Sequence, residues 1–181
     1  MLILLGESGS GKSTIEKHLI ENCGFQKVIS YTTRPPRENE IDYIDYHFIS
    51  KDEFNKLKTQ NFFIETNEYN NWHYGIAKKD CTETYPYNKV IVLTPSGLRQ
   101  LKKNAKDIKF VSCYIKVSRS KRLIRILQRG DNVDEAIRRN LADVGQYDGI
   151  ENEVDFIINN EYNSYHQLIE NLKETYLLLN N

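Results

Sequence analysis

The chain has 181 residues with 25 basic and 25 acidic side chains. It is long enough for one ample core and carries no global field of either sign, which argues against a dedicated binder of nucleic acid or membrane surfaces. No apolar run approaches the ~20 residues that span a bilayer, and Leu2-Ile3-Leu4-Leu5 is too short for a signal-peptide core. Cys23, Cys81 and Cys113 show no C-x-x-C spacing and read as buried or incidental thiols in a reducing compartment, so a cytoplasmic protein is expected.

Short apolar runs of β character occur at 1–5, 28–31, 90–93, 110–117 and 154–158. Helical patterns separate most of them, over 13–21, 95–105, 120–129 with 133–144, and 165–179. Buried strands alternating with helices predict an α/β fold on a parallel sheet flanked by helices. Thr94-Pro95 supplies an N-cap followed by proline at the first helical position. From about 32 to 80 the rhythm breaks. There Ser50-Lys51-Asp52-Glu53 has capping-box form, and the alternating stretches 43–49, 62–66 and 72–76 predict a small, mostly antiparallel β insert.

The strongest chemical signal follows the first strand. Gly6-Glu7-Ser8-Gly9-Ser10-Gly11-Lys12-Ser13 matches G-x-x-x-x-G-K-[ST], with Thr14 after it, between an apolar strand and an amphipathic helix. Glycines let successive N–H groups point inward at phosphate oxygens, and the helix N-terminus adds its positive end. Lys12 is expected to bridge the β- and γ-phosphates of ATP, with the Ser13 hydroxyl in the Mg²⁺ shell. The fold class expected is therefore a P-loop NTPase-type sheet.

A second anion site is suggested by Ser30-Tyr31-Thr32-Thr33-Arg34-Pro35-Pro36-Arg37. Two arginines three apart, stiffened by paired prolines, form a fork for a phosphate, although a proline-rich exposed turn is the competing reading. Farther on, eight basic residues against three acids lie between 116 and 139, and six acids without Lys or Arg lie between 143 and 161. Arg122, Arg125 and Arg129 are expected on one helix face opposite Leu123 and Leu127, either toward an anionic ligand or merely solvated.

Together these segments resemble the guanylate kinase family nearly end to end. The resemblance runs through S-Y-T-T-R-P-P-R, Asp45-Tyr46-His47-Phe48, Phe63-Ile64-Glu65, His73-Tyr74-Gly75, Arg125-Ile126-Leu127-Gln128-Arg129-Gly130 and Asp155-Phe156-Ile157-Ile158-Asn159-Asn160. It implies ATP-dependent phosphorylation of GMP and dGMP with Mg²⁺. By it Arg34, Arg37, Tyr46 and Tyr74 hold the GMP phosphate, and Ser30, Glu65 and Thr94 lie at the guanine. Arg122, Arg125, Arg129, Arg138 and Arg139 belong to a helical lid over ATP, and Lys12, Arg34, Arg125 and Arg129 are the catalytic set. A carboxylate at Glu65 suits the N1–H and N2–H₂ donors that guanine offers and adenine does not; on that reading IMP, lacking the amine, is a poorer acceptor. The implied organisation is one domain, with a core over 1–31, 81–118 and 149–181, a GMP-binding insert over 32–80 and a lid over 119–148. Partners are small molecules only, and the chain is a monomer or homodimer.

Several positions depart from the family pattern. Glu7 stands where a proline is usual, Ile76 replaces a serine that contacts the monophosphate, and Thr94 replaces an acid near the guanine. Asn140 occupies the place of an arginine, with Arg138 and Arg139 beside it. Two rival readings follow, a kinase of this fold acting on another monophosphate or a phosphorylated sugar, and a non-catalytic binding module. The intact phosphate loop weighs against the second.

Overall fold

The computed structural model describes residues 1–38, 40–69, 71–82, 88–130, 133–161 and 165–180. The chain opens with β1 (Leu2–Leu5), whose four residues are all buried. Leu2 and Leu4 pack into one apolar cluster, and Met1, Ile3 and Leu5 into another. That two-residue alternation places β1 inside a sheet covered on both faces. α1 (Lys12–Cys23) follows, ending in Gly24 in the left-handed conformation. β2 (Gln26–Lys27), β7 (Lys89–Val92), β8 (Val111–Lys116) and β9 (Phe156–Asn159) complete a five-stranded sheet in the order β2-β7-β1-β8-β9, every pairing parallel.

A second sheet is made by β3 (Tyr31–Thr32), β4 (His47–Phe48), β5 (Phe63–Tyr69) and β6 (Trp72–Ala77), in the order β4-β3-β6-β5. Two of its pairings are antiparallel, and β3–β4 is parallel. α2 (Lys51–Thr59) is capped as its sequence predicts, Ser50 Oγ accepting from Glu53 N–H at 3.1 Å. α3 (Lys78–Thr82) leads back toward the first sheet. The remaining helices are α4 (Pro95–Asn104), α5 (Arg119–Gln128), α6 (Val133–Asp143) and α7 (Tyr165–Asn180).

The structure corrects two expectations. The run at 28–31 is not one strand: pairing with β7 ends at Lys27, with a last bond from Val28 N–H to Val90 O, and Tyr31–Thr32 belongs to the other sheet. The apolar character there spans a crossing between two sheets, which composition alone cannot divide. The arginine stripe of α5 is also divided between core and solvent, with Arg122 buried, Arg125 half-buried and Arg129 exposed. Arg122 is 6% exposed while Ile124 and Leu127 face solvent, because the helix turns Arg122 toward the phosphate loop and buries Ile126 beside it.

Candidate active site

The loop leaving β1 keeps Gly9 and Gly11 at φ 82° and 98°, a conformation that side chains with a Cβ resist. A Cβ at Gly9 would sit 2.6 Å from the carbonyl oxygen of Arg122, and one at Gly11 2.8 Å from Asn160 Nδ2. Asn160 itself donates to Ser10 O at 2.9 Å. Gly11 is the N-cap of α1, supplies no side-chain cap, and is followed by no acid in the first turn. The first amides of α1 are therefore left for an external anion. Ser13 and Thr14 lie exposed on that turn.

Lys12 folds back over the loop, donating to Gly6 O at 2.5 Å and Glu7 O at 3.1 Å. Burial lowers its pKa to about 8, with Asp143 and Glu7 pulling the other way. Asp143, at the end of α6, accepts from Ser8 N–H at 2.7 Å, and Tyr147 O–H donates to Gly6 O at 2.8 Å. Glu7 points to the far side of the loop. It accepts from Tyr114 O–H at 2.9 Å and pairs with Arg122 at 3.3 Å. The residue standing where a proline is usual thus fixes the loop by an ion pair.

Facing the loop is a cavity of about 380 Å³. Gly6, Ser8 and Lys12 line it together with Arg34, Arg37, Tyr46, Tyr74, Ser30, Glu65 and Thr94. Arg138 and Arg139 of α6 also face it. The structure thus gathers all seven residues that sequence reasoning placed at the acceptor. It does not bring Arg122, Arg125 or Arg129 to this cavity. Arg122 donates to Val117 O and Ser8 O behind the loop, Arg125 Nη2 donates to Asn160 O at 2.8 Å, and Arg129 is the exposed C-cap of α5. Asn140 is buried, accepting from Arg119 Nε at 2.9 Å.

Four contributors escaped the sequence reading. Glu40 receives two 2.8 Å bonds from Arg34 Nη2 and one from Arg37 N–H, so a carboxylate organises the arginine fork. Asp143 reads in sequence as one member of an acidic run, and Tyr147 as part of a turn. Asn67, half-buried on β5, donates from Nδ2 to Thr94 Oγ1 at 2.8 Å. Nothing in an alternating β pattern marks it.

The base end of the cavity is built by β5 and α4. Gln100 bonds both backbone groups of Thr66, and Asn104 Nδ2 reaches Ile64 O at 2.8 Å. The register of β5 against β6 slips between Phe63 and Glu65, so that Ile64 and Glu65 are both buried in succession, as a bulge permits. Glu65 is 4% exposed, and its carboxylate has no hydrogen-bond or ion-pair partner among the described residues. Burial alone lifts its pKa to about 7. Ile76, by contrast, points into the apolar core.

A parallel α/β sheet whose central strand runs into a glycine loop and an uncapped helix defines a protein of the P-loop fold. The family model described as "Guanylate kinase" matches residues 1–176. A guanylate kinase of Clostridium tetani is 34% identical over 140 residues, which are 76% of this chain and 66%, just under two thirds, of that protein. One from Schizosaccharomyces pombe is 33% identical over 77% of this chain and 71% of its own length. One from Mycoplasma mobile is 31% identical over 96% and 90%. The crystal structure of guanylate kinase from Anaplasma phagocytophilum shares the fold, with a TM-score of 0.69 at 19% identity, covering 98% of this chain and 84% of that one. The chain belongs to the guanylate kinase family.

Proposed function

We propose that this chain transfers the γ-phosphoryl group of ATP to the phosphate of GMP or dGMP. The observation that carries this reading is one cavity joining Lys12 and the loop amides to Arg34, Arg37, Tyr46 and Tyr74, with the unpartnered Glu65 beyond them. Phosphoryl transfer needs in-line placement of two phosphates and neutralisation of charge on the moving group. Lys12 and the first turn of α1 supply both at the donor, and Arg34 and Arg37 align the acceptor. A carboxylate at Glu65 accepts from the purine N1–H. No general base is required, because the acceptor phosphate is already an anion.

The donor set fits Mg²⁺, which commonly takes few protein ligands and completes its shell with phosphate oxygens and water. Among the described residues no group of three His, Cys, Asp or Glu side chains is placed to hold a metal, while the Ser13 hydroxyl stands exposed at the loop. Bound there, the ion would neutralise phosphate charge. Residues 32–80 serve as the acceptor module, and 119–148 as a lid bringing Arg125, Arg129, Arg138 and Arg139 to the transferred group as it excludes water. No helix among the described residues is long and apolar enough to cross a membrane; a cytoplasmic monomer or homodimer accords with this reading.

The test is ADP release measured with each common ribo- and deoxynucleoside monophosphate. GMP and dGMP are expected to be the best standard acceptors, and Lys12→Ala to lower kcat by at least about a hundredfold, because its interaction strengthens in the transition state. A Lys12→Ala protein keeping half of wild-type turnover would remove the loop from the mechanism.

A further inference from the structure

The base end of the cavity carries hydrogen-bonding polarity that the family resemblance does not supply. Thr94 Oγ1 accepts two bonds, from Gly97 N–H at 3.1 Å and from Asn67 Nδ2 at 2.8 Å. The Asn67 amide cannot turn round to reverse this, because its Oδ1 accepts from Glu68 N–H at 2.9 Å, and a backbone N–H can only donate. A threonine hydroxyl has two lone pairs and one proton. With both lone pairs engaged, Thr94 offers the cavity a donor and nothing else, and that O–H has no acceptor among the described residues.

Beside it stands the opposite polarity. A Cβ at Gly97 would lie 2.8 Å from Glu65 Oε1, so this oxygen is tucked against the first turn of α4, the turn that Thr94 caps. The other carboxylate oxygen is left for a ligand. The site therefore pairs one acceptor, Glu65, with one donor, Thr94. A 6-oxopurine presents the complement, a ring N1–H flanked by an oxo acceptor. Adenine has N1 as an acceptor and an amine donor in these places and meets both groups with the wrong sign. An amine at C2 gains nothing from Thr94, whose lone pairs are taken.

We infer that this chain recognises the N1–H and oxo edge of the purine rather than its 2-amine, so that IMP is phosphorylated alongside GMP, with Thr94 as the specificity-determining residue and Asn67 as the residue that fixes its polarity. This rests on the kinase reading above and revises the expectation that IMP is a poor acceptor. The transfer is the same for either nucleotide. An oxygen of the acceptor phosphate dianion attacks the γ-phosphorus, the bond from that phosphorus to the β-phosphate oxygen breaks with its electron pair going to ADP, and no proton moves. From IMP the products are ADP and IDP.

The experiment compares kcat/KM for GMP, IMP and AMP in the wild type, Thr94→Asp and Asn67→Ala, with calorimetric binding of GMP and IMP to each protein. Aspartate keeps the helix cap but puts an acceptor where the donor was. Asn67→Ala frees one Thr94 lone pair without touching the cap. In the wild type, IMP should fall within about tenfold of GMP, below the span that loss of a charged hydrogen bond commonly produces, and AMP should lie well behind both. Thr94→Asp should raise the GMP-to-IMP ratio at least about tenfold, one hydrogen bond's worth, and Asn67→Ala should raise it by less. A purely structural role for Asn67 would lower both substrates equally. Wild-type IMP more than about tenfold poorer than GMP, or a ratio unmoved by either variant, would overturn the inference while leaving a GMP kinase. If no monophosphate is phosphorylated by the folded chain, the kinase reading fails and this one with it.

Discussion

Glu65 shows how a single side chain couples recognition to pH. Its carboxyl, ordinarily near 4.5, is held at about 7 by burial. Between those values the folded protein holds a proton that the unfolded chain has released, so stability declines as pH rises from about 4.5 and the full cost is present above 7. That cost is on the order of 1–3 kcal/mol. Only the ionised form accepts from N1–H without carrying a competing proton. GMP binding should therefore release a proton, and KM for GMP should fall as pH rises through 7. Glu65→Gln is expected to raise the melting temperature at pH 8, flatten the stability profile between pH 4.5 and 7, and lower kcat/KM for GMP by at least tenfold. Differential scanning calorimetry across pH, run beside the activity assay, checks both halves; a lower melting temperature for the variant at pH 8 would contradict them. This carboxylate was visible in the sequence through Phe63-Ile64-Glu65. Its unpaired state was not, because it follows from a slip in the β5–β6 register.

At the scale of elements, the basic block over 116–139 divides among different partners. Arg122 pairs with Glu7 behind the loop, Lys116 with Glu151 at 2.6 Å, and Lys121 with Glu161, so Glu151 and Glu161 of the acidic run balance two members of the basic run before it. The sequence displays both runs but not which charges meet, since the pairings connect elements dozens of residues apart. Arg122→Ala leaves Glu7 half-enclosed beside Tyr114 and is expected to cost about 3 kcal/mol in urea unfolding, the scale for breaking a buried pair. Adding Glu7→Gln should recover part of that loss, because the orphaned charge is removed. Equal stability of the single and double variants would show that Arg122 acts by packing alone. Arg125, which donates to the backbone carbonyl of Asn160, should behave differently, its alanine variant lowering kcat with little change in stability.

Across the whole molecule, the parallel sheet works as a partition. β1 sends alternate residues into two separate apolar clusters. Ile3→Val should cost about 0.5–1.5 kcal/mol and Leu4→Ala about 2–5 kcal/mol. Although adjacent in sequence, the two losses should add to within about 0.5 kcal/mol, as for sites without shared partners; denaturant midpoints of the two single variants and the double variant decide this. Such architecture was largely legible beforehand. The apolar runs at 1–5, 90–93, 110–117 and 154–158 all overlap strands of the sheet, and Thr94 caps α4 as its sequence predicts. Less legible was everything decided by long-range packing, such as the division of 28–31 between two sheets, the buried face of α5, and the meeting of Asn67 with Thr94. Local periodicity carries no information on those encounters.

The contact between Asp143 and Ser8 N–H gives the loop an anion of its own. Arrival of a nucleotide triphosphate is then an exchange reaction, in which one negative group displaces another and the end of α6 is set free. Amide hydrogen exchange would read this directly. Pulse labelling should find the Ser8 amide protected with and without nucleotide, because one acceptor replaces the other. The segment 143–147 should exchange faster once ATP is bound, and Asp143→Ala should show the fast rate from the start, together with a lower dissociation constant for ATP. Unchanged labelling of 143–147 on saturation would mean that carboxylate and phosphate occupy the loop side by side.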